Sequence, residues 1–228
     1  MSGSPSNTPI KDAASIILLR QTDDGPAVLM GQRGAAAAFM PSKFVFPGGA
    51  VDKDDYDVKV AQQGQIAGAR DASDVPTPAL AAAAIRELWE ETGQILGSVE
   101  TWPSDHAPEG WASYAQTGHV PNGTDLRFIF RAITPQGRPR RFDARFFVAN
   151  ADALRTDPDC FDRAQDELSH LHWVPLAEAR QLDLPFVTDV VLAEVQRFVT
   201  RKVWPAYPMF MDNTDDRNIV RPLIDPIT

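Results

Sequence analysis

Eight consecutive residues near the middle of the chain carry its most informative pattern: Arg86-Glu87-Leu88-Trp89-Glu90-Glu91-Thr92-Gly93. In a helix, the three glutamates stand at positions i, i+3 and i+4 and therefore share one face. Carboxylates this close repel one another, and hard oxygen ligands at such density suit Mg²⁺ or Mn²⁺. Arg86 lies four residues before Glu90, where it can pair with that carboxylate. The alternative is a solvated acidic face, which is the usual role of a glutamate-rich helix.

A second motif precedes the first and is independent of it: Phe46-Pro47-Gly48-Gly49-Ala50-Val51-Asp52. The strand-like residues 44–46 run into a Pro-Gly-Gly turn, where the backbone can approach a ligand or a metal closely. Five fixed residues at the spacing of the glutamate helix would arise by chance about 10⁻⁴ times in a chain of this size. The two motifs together favour a built site over a coincidental acidic helix.

These motifs resemble the signature of the Nudix hydrolase superfamily. That signature is Gly, five residues, Glu, seven residues, then Arg-Glu-aliphatic-x-Glu-Glu-x-Gly-aliphatic. Here Gly49 opens it, and residues 86–93 form its second half. The chain departs from the signature at three points. Asp55 replaces the first Glu, 30 residues instead of seven separate Asp55 from Arg86, and Gln94 occupies the final aliphatic position.

The resemblance implies a fold and a reaction. The expected fold is α/β, an α/β/α sandwich around a mixed sheet, with residues 1–228 forming one domain. The expected reaction is metal-dependent hydrolysis of the pyrophosphate bond in a nucleoside diphosphate linked to another group, with Mg²⁺ or Mn²⁺ as cofactor. The alternatives are a pyrophosphatase for ADP-ribose or dinucleotides and a non-catalytic, nucleotide-sensing module on the same fold.

A third stretch narrows the resemblance to a subgroup. The phrase 140–147 is similar to a hairpin strand in Nudix proteins that carry a long insertion inside the signature. That subgroup includes peroxisomal proteins that cleave coenzyme A derivatives, so coenzyme A or an acyl-coenzyme A is the first substrate expected. An ordinary amphipathic strand explains the same phrase, with Asp143 and Arg145 forming no more than a cross-strand pair.

The resemblance also assigns roles to individual residues. Glu90 and Glu91 are expected to bind the metal, with the backbone carbonyl of Gly48 as a further ligand. Glu87 is expected to be a ligand or the general base, and Arg86 completes the catalytic set. A downstream carboxylate often contributes in the superfamily, and Asp166-Glu167 supplies the candidate, Glu167. An exposed acidic turn is the alternative for this pair.

Substrate contacts are predicted less directly. Arg33 and Lys43 could bind phosphate, or they are ordinary surface cations. Phe44 could line an apolar trough, together with Phe39 and Met40, or it packs in the core. His170 and His172 alternate on one predicted strand, and we interpret them as partly exposed strand residues, with a metal site as the alternative. Trp89 is interpreted as a packing residue.

Composition restricts the class of protein. The chain has 228 residues with 43% hydrophobic and 23% charged residues, which is ordinary for a globular domain. The net charge of −9 argues against broad binding to nucleic acid or to anionic membranes and leaves a small anionic substrate open. The single Cys160 fits a reducing compartment, and residues 1–7 lack a signal-peptide core. We therefore predict a cytoplasmic protein; a homodimer remains open.

Hydrophobic periodicity gives a coarse order of elements. Thr77 and Pro78 predict a helix start, as N-cap and first-turn proline, and Gly93 predicts its end. We expect this helix to pack one side on the sheet and to offer its carboxylates to a metal. The other predicted segments are a flexible lead over 1–12, strands over 14–20, 27–31, 43–46, 126–133, 142–149 and 168–174, a polar insertion over 53–76 whose part 56–76 is a surface excursion, loop with helical pieces over 97–123, helices over 176–182 and 184–203, and an extended tail over 205–228.

Overall fold

The centre of the protein is a mixed β-sheet. The computed structural model describes residues 8–37, 39–61, 75–102, 107–165, 167–204, 206–213 and 219–224. Within them, nine strands form one sheet in the order β11-β10-β7-β8-β1-β2-β3, with β4 paired to β1 and β9 paired to β2. The strands are β1 (Ile10–Thr22), β2 (Gly25–Arg33), β3 (Phe44–Val45), β4 (Gly48–Ala50), β7 (Arg127–Ile133), β8 (Arg141–Asn150), β9 (Leu168–Pro175), β10 (Met209–Asp212) and β11 (Ile219–Pro222).

Strand β1 lies at the centre of this sheet, and both of its faces are buried. Ile16 and Leu18 belong to one apolar cluster, and Ile17 between them belongs to another. This alternation places the two clusters on opposite faces of the sheet. β1 pairs antiparallel with β2 and β4 and parallel with β8. The predicted strands over 14–20, 27–31, 126–133, 142–149 and 168–174 are confirmed, with somewhat wider bounds.

Helix α1 (Thr77–Thr92) covers one face of the sheet. The predicted apolar stripe of Ala81, Ile85, Leu88 and Thr92 is confirmed, since each of these residues is 0% exposed. The predicted N-cap is wrong by one residue. Pro76 occupies the N-cap position, and proline has no side-chain acceptor that could form a cap bond. Gly93 ends the helix with φ of 72°, a left-handed conformation that suits glycine.

Helix α3 (Phe186–Arg201) covers the opposite face. Val191, Leu192 and Val195 are 0% exposed and pack with Ile17 and other residues of the sheet. Pro185 stands at its N-cap position, so the helix begins two residues later than predicted. The segment before it forms a 3-10 turn over Ala179–Gln181 instead of the predicted helix over 176–182. The expected α/β/α sandwich is confirmed.

A smaller unit lies beside α1. It contains β5 (Gly97–Val99), a 3-10 turn over Glu109–Trp111, the short helix α2 (Ala112–Ala115) and β6 (His119–Pro121). β5 and β6 form a separate antiparallel two-stranded sheet. The prediction of loop with helical pieces over 97–123 missed this sheet, because three-residue strands leave no detectable alternation in sequence.

The predicted insertion is only partly a surface excursion. Lys53–Tyr56 forms a 3-10 turn at the start of this segment. Val58 and Val75 are 5% and 8% exposed and join the apolar cluster beneath α1, so the prediction that 56–76 lacks core residues is wrong at both positions. Residues 62–74 lie outside the described part of the chain.

Both ends of the described chain belong to the sheet. Ile10 already begins β1, which corrects the predicted lead at 10–12; residues 1–7 lie outside the description. β10 pairs parallel with β7, and β11 extends the sheet antiparallel to β10. Met211 is 2% exposed, so part of the predicted extended tail over 205–228 contributes to the core. Among the described residues, the helices are too short or too polar to traverse a lipid bilayer.

Candidate metal and active centre

The carboxylates of α1 are more buried than the sequence predicts. Glu87 and Glu91 are 9% and 2% exposed, and Glu90 alone is half-buried. They face β4 and the 3-10 turn at residues 53–56, which pack on α1. The helix therefore does not offer an open acidic face to solvent. Burying several carboxylates without compensation is costly, so the cations and donors around them determine what the site can do.

Arg86 lies among these carboxylates and uses its whole guanidinium group. Nη1 donates to Glu87 Oε1 and to Glu90 Oε2, both at 2.9 Å. Nε and Nη2 donate to the two oxygens of Asp55 at 3.0 Å, and Nη2 also donates to the carbonyl of Ala50 at 3.0 Å. These contacts match the five N–H donors of an arginine. Burial lowers the pKa of Arg86, but the surrounding carboxylates outweigh burial and keep the pKa above its ordinary value.

The central position of Asp55 in the site was not predicted from the sequence. Asp55 is 0% exposed, although its replacement of the signature's glutamate looks chemically mild and lies far from Arg86 in sequence. Oδ1 accepts from Arg86 and from the indole Nε1 of Trp111 at 3.1 Å, and Oδ2 accepts from Arg86 and from the backbone N–H of Asp52 at 2.8 Å. Its position in the signature is the signal that could have identified it. Nothing in the sequence indicates Trp111.

Glu91 is held by the glycine turn. The N–H of Gly48 donates to Glu91 Oε2 at 2.7 Å, while Oε1 is buried and has no hydrogen-bond partner in the described part of the chain. Burial raises the pKa of Glu91 well above its ordinary value; the charge of Glu87 adds to this, and the Gly48 bond opposes it. The Gly48-Gly49 turn and the glutamate helix therefore meet as the sequence predicts.

Glu87 lies against Gly49. A Cβ atom at position 49 would overlap the Glu87 carboxylate, so this close approach requires glycine. Burial raises the pKa of Glu87 to about 7, with a further increase from Glu90 and an opposing effect of Arg86. Burial also raises the pKa of Glu90, again against Arg86. These shifts identify groups that favour either a proton or a cation at neutral pH.

Arg33 and Glu167 lie near this centre and pair with each other. Arg33 Nη2 approaches Glu167 Oε1 at 3.2 Å, and the Glu167 side chain is 59% exposed. The negative charge of Glu167 contributes to the raised pKa values of Glu87, Glu90 and Glu91, while Arg33 lowers that of Glu91. The neighbouring Asp166 lies outside the described residues.

Lys43 and Phe44 lie in a different environment. Lys43 Nζ pairs with Asp183 Oδ1, and the N–H of Phe44 donates to the Asp183 carbonyl at 3.0 Å. The Phe44 ring packs edge-on against His172 and joins the apolar cluster on the α3 face. The structure thus brings Arg33 and Glu167 to the carboxylates and places Lys43 and Phe44 on the side of α3.

Comparison with known proteins fits this geometry. No protein-family model matches the chain. The Caenorhabditis elegans protein named "Putative nudix hydrolase 7" is 31% identical over 175 residues, which is 72% of this chain. A solved structure of a NUDIX hydrolase from Alicyclobacillus acidocaldarius superposes with a TM-score of 0.67 and 25% identity, over 86% of this chain and 97% of that chain. The chain is a homologue of Nudix hydrolases.

Two further facts qualify this Nudix assignment. The chain spans about half (51%) of the length of the C. elegans relative. A second solved structure, the Nudix hydrolase RenU from M. smegmatis, superposes with a TM-score of 0.47 and 17% identity, over 87% of this chain and 93% of that chain. The homology therefore rests on the C. elegans and A. acidocaldarius proteins.

The Nudix helix fits a divalent cation by its chemistry. Within the described residues, no three His, Cys, Asp or Glu side chains already converge as metal ligands. Glu87 and Glu90 instead share Nη1 of Arg86. However, the site contains four carboxylates and one guanidinium group, that of Arg86. Glu91 Oε1 is buried and has no donor in the described part of the chain. This surplus of hard oxygen donors suits Mg²⁺ or Mn²⁺.

Gln94, a departure from the Nudix signature, has a structural explanation. It is 0% exposed, and Nε2 donates to the carbonyls of Asp157 and Cys160 at 3.1 and 2.8 Å. Its Oε1 accepts from the Thr156 hydroxyl at 2.5 Å. The signature's aliphatic residue is thus replaced by an amide that binds the polar segment 156–160.

The remaining sequence candidates have structural roles. Trp89 donates to Ser113 Oγ at 3.0 Å and packs edge-on against Tyr114, as its packing interpretation predicts. His172 Nδ1 lies 2.7 Å from the His170 carbonyl, and both histidines are exposed.

A second group of charged residues, here the strand cluster (Asp12, Arg131, Asp143, Arg145), crosses three neighbouring strands. Arg131 makes a two-bond contact with Asp143 at 2.8 and 2.6 Å. Arg145 is 0% exposed and donates to Asp12 Oδ1 at 2.5 Å and to the Asp143 carbonyl at 2.7 Å. Asp143 and Arg145 both belong to β8, so they are not the cross-strand partners of each other that the sequence predicted. Each instead pairs with a residue of a neighbouring strand, Arg131 or Asp12.

Proposed function

We propose that this chain is a divalent-metal-dependent pyrophosphohydrolase of nucleoside diphosphate derivatives. One observation carries the proposal: the box cluster (Asp55, Arg86, Glu87, Glu90, Glu91) holds four carboxylates but one guanidinium, which bonds three of them. The fourth, Glu91, has an oxygen that is buried without a donor in the described part of the chain. A purely structural site would balance these charges. Homology to Nudix hydrolases supports the same reaction class.

The cation would be held by Glu90 and Glu91, with the carbonyl of Gly48 as a further ligand. Glu87 is either another ligand or the general base. When bound, a divalent ion neutralises pyrophosphate oxygens and lowers the pKa of water. Arg86 keeps Glu87 and Glu90 in fixed orientations through Nη1. The turn at Gly48 fixes Glu91 through one oxygen and leaves the other for a ligand.

Two residues are proposed for proton transfer. Burial raises the pKa of Glu87 to about 7, close to that of an effective general base at neutral pH. Because Arg86 occupies Oε1 of Glu87, a proton would be accepted at Oε2. Glu167 is the second candidate, since it is exposed, close enough to influence the three glutamates and paired only across 3.2 Å with Arg33.

Within this class we propose coenzyme A or an acyl-coenzyme A as substrate. Two sequence features support it: the long insertion between Asp55 and Arg86, and the resemblance of 140–147 to the coenzyme A-cleaving subgroup. Arg33 is the proposed phosphate contact. Lys43 and Phe44 lie on the α3 side of the sheet. They would contact the substrate only if part of it reaches that side.

A turnover screen tests both levels of the proposal. Coenzyme A, an acyl-coenzyme A, ADP-ribose and dinucleotides are incubated with Mg²⁺ or Mn²⁺, and products are identified by mass, with Glu90→Gln as the inactive control. Cleavage at the pyrophosphate in any of them supports the reaction class. If ADP-ribose or dinucleotides are cleaved with kcat/KM at least about tenfold higher, or about 1.4 kcal/mol, the coenzyme A proposal fails. A nucleotide-dependent thermal shift without turnover would indicate a sensing module instead.

A further inference from the structure

Trp111 contacts the box cluster from outside the Nudix signature. It lies in the 3-10 turn at Glu109–Trp111, is 0% exposed, and donates through Nε1 to Asp55 Oδ1 at 3.1 Å. The preceding residue, Gly110, donates its N–H to Asp54 Oδ2 at 2.8 Å. Two adjacent residues of one 3-10 turn thus bind two adjacent carboxylates of another. The smaller unit beside α1 is thereby attached directly to the signature.

A continuous chain of hydrogen bonds links Trp111 to the proposed metal ligands through Asp55 and Arg86. The four acceptor positions of Asp55 are filled by Arg86 twice, by Trp111 and by the N–H of Asp52. The five donors of Arg86 are filled in turn, two of them by Glu87 and Glu90. In such a saturated buried network, the loss of one donor changes the orientation of its neighbours.

We infer that Trp111 is a positioning residue, which fixes Asp55 and, through Arg86, the orientation of Glu87 and Glu90. The inference rests on the proposed function in that it takes these glutamates as metal ligands. It explains how the chain uses aspartate at a position where the signature has glutamate. Two hydrogen bonds to Oδ1, one of them from the indole, hold the shorter side chain against Arg86. Direct hydrogen-bond partners of metal ligands, the position that Arg86 holds here, typically affect metal affinity by about 10- to 100-fold.

Trp111→Phe tests the inference, with Trp102→Phe as the matched control. Trp102 lies in the same aromatic cluster, 5.9 Å from Trp111 between ring centroids, and its Nε1 donates to the His119 carbonyl at 2.9 Å, away from Asp55. Calorimetry with Mn²⁺ alone is expected to show about tenfold weaker binding in Trp111→Phe and less than about twofold change in Trp102→Phe. Equal effects in the two variants would overturn the inference.

A second readout needs neither metal nor substrate. In the metal-free protein, hydrogen exchange of the Arg86 Nε–H, followed by NMR, is expected to be about tenfold faster in Trp111→Phe and unchanged in Trp102→Phe. If wild type binds no Mn²⁺ and cleaves nothing, the proposed function fails, while this measurement still decides whether Trp111 positions Arg86. Unchanged exchange in Trp111→Phe would overturn the inference even if the enzyme proves active.

A double-mutant cycle separates positioning from general loss of packing. If Trp111 acts through Asp55, Trp111→Phe should change Mn²⁺ affinity by less than about twofold in an Asp55→Asn background. Additive effects of the two substitutions would contradict the inference. Should Trp111→Phe fail to fold, benzothienylalanine at position 111 keeps the shape of indole and removes only the N–H. It should reproduce the weaker Mn²⁺ binding, and wild-type affinity in that variant would overturn the inference.

Discussion

The box cluster and the strand cluster lie on the same face of one sheet but balance their charges differently. Ala14 of β1 is aligned with Gly49 on one side and with Arg145 on the other, so the two clusters are neighbours. Among the described residues, the strand cluster pairs two guanidinium groups with two carboxylates. The box cluster sets one against four. Equal numbers suit a structural role, whereas a buried surplus of carboxylates costs stability unless a cation binds.

The largest expected effect is loss of activity from the box cluster. Glu90→Gln or Glu91→Gln keeps the shape of the side chain and removes a charged oxygen ligand. We expect kcat/KM to fall by at least about a hundredfold at low Mg²⁺. Without metal, urea unfolding should show equal or slightly higher stability, because repulsion among the carboxylates is relieved. Near-normal turnover in both variants would contradict the assignment of these ligands.

A substitution in the strand cluster should lower stability and leave activity nearly unchanged. Asp143→Asn removes the carboxylate that makes a two-bond contact with the buried Arg131, and this should lower the free energy of unfolding by about 3 kcal/mol. Activity of the folded fraction, assayed well below the melting temperature, should remain within about twofold of wild type. Asp189→Asn is the control, because its pair with Arg180 is exposed and contributes less than about 1 kcal/mol. Equal stability of the two variants would remove the distinction between the clusters.

The pH dependence of stability should distinguish the clusters further. Burial raises the pKa of Glu87 from 4.5 to about 7, so the folded protein holds more protons than the unfolded chain between these values. Metal-free stability should therefore decrease as pH rises from about 4.5 to about 7, by about 3 kcal/mol from this residue. Chemical denaturation at several pH values with chelator measures the slope. Glu87→Gln should reduce it, and an unchanged slope in that variant would refute the shift.

The smallest predicted effect concerns the approach of the turn to the helix. Gly49→Ala places a Cβ atom where the Glu87 carboxylate lies, and the side chain must move away. We expect kcat/KM to fall by about five- to tenfold, with about 1 kcal/mol of lost stability from overpacking. Gly34→Ala is the control, since no atom lies within 4 Å of a Cβ at that position. Full activity in Gly49→Ala would show that Glu87 does not need this contact.

Local patterns predicted the sandwich and the helix with its glutamates, because periodicity and short motifs record which residues share a face. The long-range parts of the site were not predictable in this way. Trp111 follows Asp55 by 56 positions, and no spacing rule connects an indole to a carboxylate across that distance. The strands of the C-terminal segment were missed for the same reason, since β10 becomes a strand by pairing with β7 and not through its own short sequence.

The burial of the helix was also not predictable. A stripe of Ala81, Ile85 and Leu88 indicates one packed side, and the glutamates indicate another side that should be wet. The structure covers that side with β4 and the 3-10 turn over residues 53–56, both of which precede α1 across the insertion. Sequence alone cannot specify which distant segment returns to cover a charged face.

The parallel pairing of β1 with β8 constrains how the protein is made. Ten consecutive residues of β1, from Ile10 to Leu19, align with Arg141 through Asn150. During synthesis, β1, β4 and α1 leave the ribosome long before this partner exists, and β1 retains an unpaired edge until then. Contacts between residues as far apart as Asp12 and Arg145, 133 positions, close slowly. A nascent chain that stalls before residue 141 therefore carries all the glutamates of the site without the sheet that holds them in place.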